Sequence, residues 1–136
     1  MKKDIPILKV EHIAVAVVKE WNEEKTHEVY NAYLLNLKKH LIKNVLVSSK
    51  GYGSNVITGE EIKTSTLRHF LGDLDGNSFA KIEPIVEEVF GINNEYWVSF
   101  FDNNQLYDKK YIFLAESITE ENMIVVPVIG KRGVMI

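Results

Sequence analysis

The sequence predicts a single all-β domain, an antiparallel β-sandwich of seven to nine strands with at most one short helical turn. Three observations carry this expectation. Segments rich in valine, isoleucine and aromatic residues recur with the period of two that suits a pleated surface. Clusters of Gly, Asn and Asp separate them roughly every 8–15 residues, the punctuation of short strands. No long segment reads as helix without a competing strand reading.

The elements follow in order. In Ile7–Trp21 (ILKVEHIAVAVVKEW), Ile13, Val15 and Val17 share one parity, which predicts a strand over Glu11–Glu20 and a shorter one over Leu8–Val10. The polar NEEKT of Asn22–Thr26 is a turn. Val29, Tyr33, Leu37 and Leu41 lie four apart, as a helix capped by Thr26 would place them. Asn31 and Asn36 inside the run, and β-branched Ile42, Val45 and Val47 after it, favour two strands instead, Val29–Leu37 and Ile42–Ser48, joined by a turn at Lys38–His40.

Lys50–Glu61, with three glycines, is expected to be a loop in which glycine supplies positive φ. Ile62–Leu71 reads as a strand, Gly72–Asn77 as a turn and Ser78–Ile85 as a strand that Pro84 confines to an edge. Val86–Phe90 holds the one helical turn. Glu95–Phe101 and Tyr107–Ala115 form a hairpin around Asp102–Gln105. Thr119–Asn122 is polar, Met123–Ile129 is a last strand with Pro127 marking an edge, and Gly130–Gly133 leads to the apolar Val134–Met135–Ile136. That tail is expected to pair as a strand, in its own sheet or across a dimer.

Composition excludes several function classes. The chain has 136 residues, 46% hydrophobic and 26% charged, enough for a core without staples. A net charge of −3 supplies no chain-wide attraction to nucleic acid or anionic lipid. The absence of cysteine removes disulfides, a thiolate nucleophile and cysteine-based zinc sites. Pro6, Lys9 and Glu11 interrupt the apolar start, so a signal peptide is not expected, and no segment approaches the roughly 20 apolar residues of a membrane helix. A cytoplasmic location is the expectation.

At Tyr33–Gly53 and Leu74–Ile85 the chain resembles immunoglobulin-like sandwich modules: an Asn-containing strand, a short turn, an I-x-N-V-x-V strand and a later L-x-x-x-S-x-x-x-I strand. It lacks the cysteine pair of true immunoglobulin domains. Through VLVSSKGYG, TLRHF, KIEPI, NEYWVSF and YDKKYIF the whole chain also resembles a family of small bacterial proteins without assigned activity. Some members of that family carry the name phenylalanyl-tRNA synthetase alpha subunit, which implies a tRNA-associated role. The chain is far shorter than such a subunit and shows no adenylate-binding motif of that class.

The chemistry-bearing residues are sparse. Gly51–Asn55 lacks the following helix that a phosphate loop requires, so no cofactor is expected. His12, His27, His40 and His69 show no metal-ligand spacing. Arg68 and His69 are the candidates for acid–base chemistry, given a converging carboxylate. The aromatic strand is the best candidate binding surface. Trp97, Ser99 and Phe101 share one face, and Tyr96, Val98 and Phe100 the other. Lys109, Lys110, Lys131 and Arg132 are expected as a basic rim, the combination single-strand nucleic-acid binders use. A non-catalytic protein-interaction or structural module, self-associating or bound to a protein partner, is the first expectation. A small enzyme with a cross-strand His/Arg/carboxylate site is second, and a nucleic-acid-associated protein third.

Overall fold

A computed structural model describes residues 8–136. Among them are β1 (Ile13–Trp21), β2 (Glu28–Asn36), β3 (Ile42–Ser54), β4 (Glu61–Lys63), β5 (Leu67–Leu74), β6 (Ser78–Ile85), β7 (Asn93–Asp102), β8 (Gln105–Phe113), β9 (Ile124–Val125) and β10 (Arg132–Met135). They form two antiparallel sheets. The first has the order β6-β2-β1-β10-β9; in the second, β4 and β5 share one edge of β3, and β7 and β8 follow on its other side. The chain is an all-β sandwich, as its alternating pattern predicts.

Alternation explains the core. Ile13, Val15 and Val17 of β1 and Ala32 and Leu34 of β2 face Val45, Val47, Tyr96, Val98 and Phe100 of the second sheet, all buried. The Tyr111 hydroxyl crosses between the sheets to donate to the Ile13 carbonyl at 2.7 Å, and burial pushes its pKa up. On the far face of the first sheet, Ala14, Ala16, Val18 and Leu35 form a smaller cluster with Val126.

The two turns of the β2–β3 region and the β5–β6 region are locked to each other. Asn36, fully buried, donates to the carbonyls of His40, Leu74 and Asp75 at 3.0 Å. Its Oδ1 accepts the Lys38 amide at 3.1 Å. The asparagine that argues against a helix in the sequence is therefore the pin between two turns.

Several boundaries differ from expectation. Among the described residues ten strands form instead of seven to nine, because two short ones, β4 and β9, complete sheet edges. Two single 3₁₀ turns appear, at Glu87–Val89 and Glu120–Asn122. Leu8–Val10 is not a strand; His12 precedes β1 with φ of 61°, which breaks extended backbone there. Gly51–Gly53 continues β3 instead of opening a loop. A Cβ at Gly51 or Gly53 would come within 2.9 or 3.0 Å of the Ile92 side chain, so these glycines permit close approach and do not supply positive φ.

The expected strand Ile62–Leu71 is split at Thr64–Thr66, where Thr64 instead bonds Gly51 through both its amide and its hydroxyl. Met123–Ile129 supplies only β9, since Pro127 and Val128 (φ 69°) turn the chain into β10. The tail pairs with β1 in its own sheet, Ala16 opposite Met135. The signal-peptide reading over residues 1–7 lies outside the described residues. No helix is long and apolar enough to cross a membrane among the described residues.

Candidate functional site

The β7 alternation resolves into one buried and one exposed face. Tyr96, Val98 and Phe100 are at most 1% exposed, whereas Trp97 and Phe101 are 44% and 38% exposed on the outer surface of the second sheet. Cross-strand register extends that surface. Arg68, Ser48, Trp97 and Lys110 form one row across β5, β3, β7 and β8. Phe70, Leu46, Ser99 and Asp108 form the next, and Phe101 stands opposite Leu106. Phe70, Leu46, Leu106 and Ile112 are all more than a third exposed, so the outer face carries several exposed apolar side chains among polar ones. The Lys110 ammonium lies 4.6 Å from the Trp97 ring centroid, within cation–π range.

Of the expected rim, only Lys110 shares the aromatic face. Lys109 and Lys110 belong to β8, the latter on the outer face. Lys131 and Arg132 lie across the molecule, because β10 pairs with β1 in the other sheet. Lys131 donates to the buried Glu20 at 2.7 Å, and Arg132 sits 3.9 Å from Glu120. They belong to the other sheet and add nothing to the aromatic face.

Tyr96 and His69 turn inward and meet a group that the sequence pattern concealed, the Glu83 carboxylate. Its Oε1 accepts the Ser49 hydroxyl at 2.6 Å and contacts His69 Nε2 at 2.7 Å. Its Oε2 accepts the Tyr96 hydroxyl at 3.2 Å, and burial with the adjacent carboxylate pushes that phenol's pKa up. The cluster borders a cleft of about 260 Å³ whose walls include Gly51, Thr64, Leu67 and Val86. Arg68, next to His69, points to the opposite face.

Strict alternation would put Glu83 outside with Phe79 and Lys81. A bulge in β6, with Ile82 as the extra residue facing the Ala32–Tyr33 step of β2, shifts the register, so Lys81 opposes Tyr33 but Glu83 opposes the core residue Ala32. The fold thus brings a histidine and a carboxylate together as an acid–base site would require. Their arrangement is that of a tie, with three side chains of the second sheet donating to one carboxylate of the first. Ser49 donates its hydroxyl hydrogen bond to Glu83 and not to His69, so the serine and the histidine meet on the carboxylate and not on each other.

Two further carboxylates are held in the same way. Burial pushes Glu20 up, but hydrogen bonds from Lys131, Tyr33 and Asn31 outweigh it and hold the carboxyl below its ordinary value of 4.5. Asp102, against His40 at 2.9 Å and Lys38 at 3.3 Å, follows the same balance and lies below its ordinary range. Among the described residues, no group of three or more His, Asp or Glu is placed to hold a metal.

A pH dependence follows. A depressed carboxylate contributes stability that is fully present above its unfolded value and is lost as pH falls through the lower folded value. Chemical denaturation is therefore expected to show stability declining below about pH 4.5, with Glu20→Gln losing less than the parent between neutral pH and about pH 3. Equal losses in both would show that Glu20 does not contribute to acid sensitivity. In comparisons with family models, curated proteins and solved structures, nothing matches this chain.

Proposed function

We propose that the protein is a non-catalytic binding module that engages a protein partner through the outer face of its second sheet. The observation carrying this reading is the exposed apolar surface of Leu46, Phe70, Trp97, Phe101, Leu106 and Ile112. Burying such a face against water-excluding neighbours is the main favourable term in association. Arg68 and Lys110 in the Trp97 row, and Lys43 opposite Phe101, suit a partner with carboxylates around an apolar centre. The tie at Glu83, where Ser49, His69 and Tyr96 meet one carboxylate, supports the non-catalytic half of the reading.

The strand order supports the immunoglobulin-like resemblance of the sequence. With β1, β2, β3, β5, β6, β7 and β8 taken as A, B, C, C′, E, F and G, the sheets read E-B-A and C′-C-F-G, with β9 and β10 added beside A. The exposed face is then the C′CFG face.

A photo-crosslinking amino acid at Trp97, introduced in cells, is expected to capture a discrete protein. The same group at Val56, in an exposed loop, is not. Capture at both positions or at neither would overturn the reading, and capture of nucleic acid at Trp97 would favour a nucleic-acid-associated role in its place.

A further inference from the structure

We infer that β8 is a self-association edge, pairing antiparallel with β8 of a second copy about a two-fold axis through Lys109. Among the described residues β8 pairs on one side only, with β7, in an unbroken register from Asn94↔Phe113 to Asp102↔Gln105. It contains no proline, glycine or bulge. The other edges are blunted by proline, shortness or interruption, whereas β8 is guarded only by the charges of Asp108, Lys109 and Lys110. β6 carries Pro84 and a register shift, β9 has two residues, and the β4–β5 edge is interrupted at Thr64–Thr66.

The hairpin fixes which groups face outward. Asn103 and Asn104 both have positive φ, 50° and 63°, as a two-residue type I′ turn requires. Such a turn is closed by a hydrogen-bonded pair, here Asp102–Gln105, and bonding then alternates along the ladder. Tyr107, Lys109 and Tyr111 therefore spend their backbone groups on β7. Leu106, Asp108, Lys110 and Ile112 present theirs to the open edge.

Charge and polarity choose the register. A two-fold perpendicular to the sheet keeps both outer faces on one side and pairs residues of like parity. Centred on Lys109, it sets Asp108 opposite Lys110 of the second copy, Leu106 opposite Ile112 and Tyr107 opposite Tyr111, each twice. Centred on Asp108 it sets that carboxylate against itself and Leu106 against Lys110; centred on Lys110 it sets the ammonium against itself and Asp108 against Ile112.

Neither Asp108 nor Lys110 has an ion-pair partner among the described residues, so both are available. The one unfavourable pair, Lys109 with itself, is eased because its ammonium lies 4.8 Å from the Tyr111 ring centroid. Assembly joins the two second sheets into one, and the two apolar faces become a single surface. This inference rests on the edge of β8 and stands apart from the identity of any partner on that face.

The chain contains no cysteine, so single cysteines report the register cleanly. At the centre, Cα atoms of a non-hydrogen-bonded pair lie about 4.5 Å apart, within disulfide reach. In the full chain under mild oxidation, Lys109→Cys is expected to form a covalent dimer about tenfold faster than Asp108→Cys, whose thiol faces a lysine and not its own copy. Asp108→Lys alone is expected to abolish dimer mass in light scattering at high concentration, and Asp108→Lys with Lys110→Asp to restore it. Equal crosslinking at the two positions, or no recovery in the double variant, would overturn the inference. Trp97 capture with a strictly monomeric protein would retain the binding module while removing β8 self-pairing; a dimer without capture would do the reverse.

Discussion

Phe100→Ala is expected to destabilise the protein by about 3–5 kcal/mol, while Phe101→Ala, one residue on, lowers stability by only about 1 kcal/mol. Phe100 is 1% exposed, stacks on Tyr107 at 5.6 Å between ring centroids, and lies in the cluster between the sheets. Its removal leaves a cavity that Val98 and Tyr96, fixed in the same strand, cannot close. Phe101 points outward beside Leu106, where the truncated surface stays in contact with water. Urea unfolding of both variants measures the contrast. Comparable losses would mean that both faces of β7 are buried and would remove the surface on which the proposed function rests.

Gly76→Ala is expected to be the most damaging glycine change for its size, at about 2–3 kcal/mol. A Cβ there would meet the Lys39 carbonyl carbon and lie 2.6 Å from both the Lys39 oxygen and the His40 amide nitrogen. All three are backbone atoms of the facing turn, so no side chain can rotate away. The turns cannot separate without breaking the bond from the Asn77 amide to the Lys38 carbonyl, 2.9 Å, and the two that Asn36 donates to the Leu74 and Asp75 carbonyls. Gly91→Ala is the control. Its Cβ meets only Glu116 Oε1 at 3.5 Å, an ordinary contact, and stability should move by no more than about 0.5 kcal/mol. If thermal melts show the two substitutions to be equivalent, the turns do not pack as described.

Much of this architecture was legible in the residues. Period-two patterning located β1, β2, β6 and β7 to within a few positions, and in β7 it separated Trp97 and Phe101 from Tyr96 and Phe100. The Asp-Asn-Asn turn announced the β7–β8 hairpin, because asparagine tolerates the left-handed backbone that the turn demands. Local rules worked where the determining interaction is itself local.

They gave out where a distant residue decides. Glycine between strands reads as a loop, yet Gly51 and Gly53 lie within β3 because the Ile92 side chain packs where their Cβ atoms would be. Lys131 and Arg132 look like partners of Lys109 and Lys110 until the sheets are assigned, and then they lie beside Glu20 of β1 and Glu120 of the second 3₁₀ turn. Glu83 gave no signal, since its inward turn depends on a bulge opposite Ala32 that no spacing within β6 reveals.

The sequence by itself determined that the chain folds as an antiparallel sandwich and which residues alternate along each strand, because pleating converts residue order directly into facing. Only the tertiary structure decided which face meets water, that the tail pairs with β1, and that His69, Ser49 and Tyr96 converge on one carboxylate. Those outcomes depend on strand order and register, which are set by packing between segments far apart in the chain.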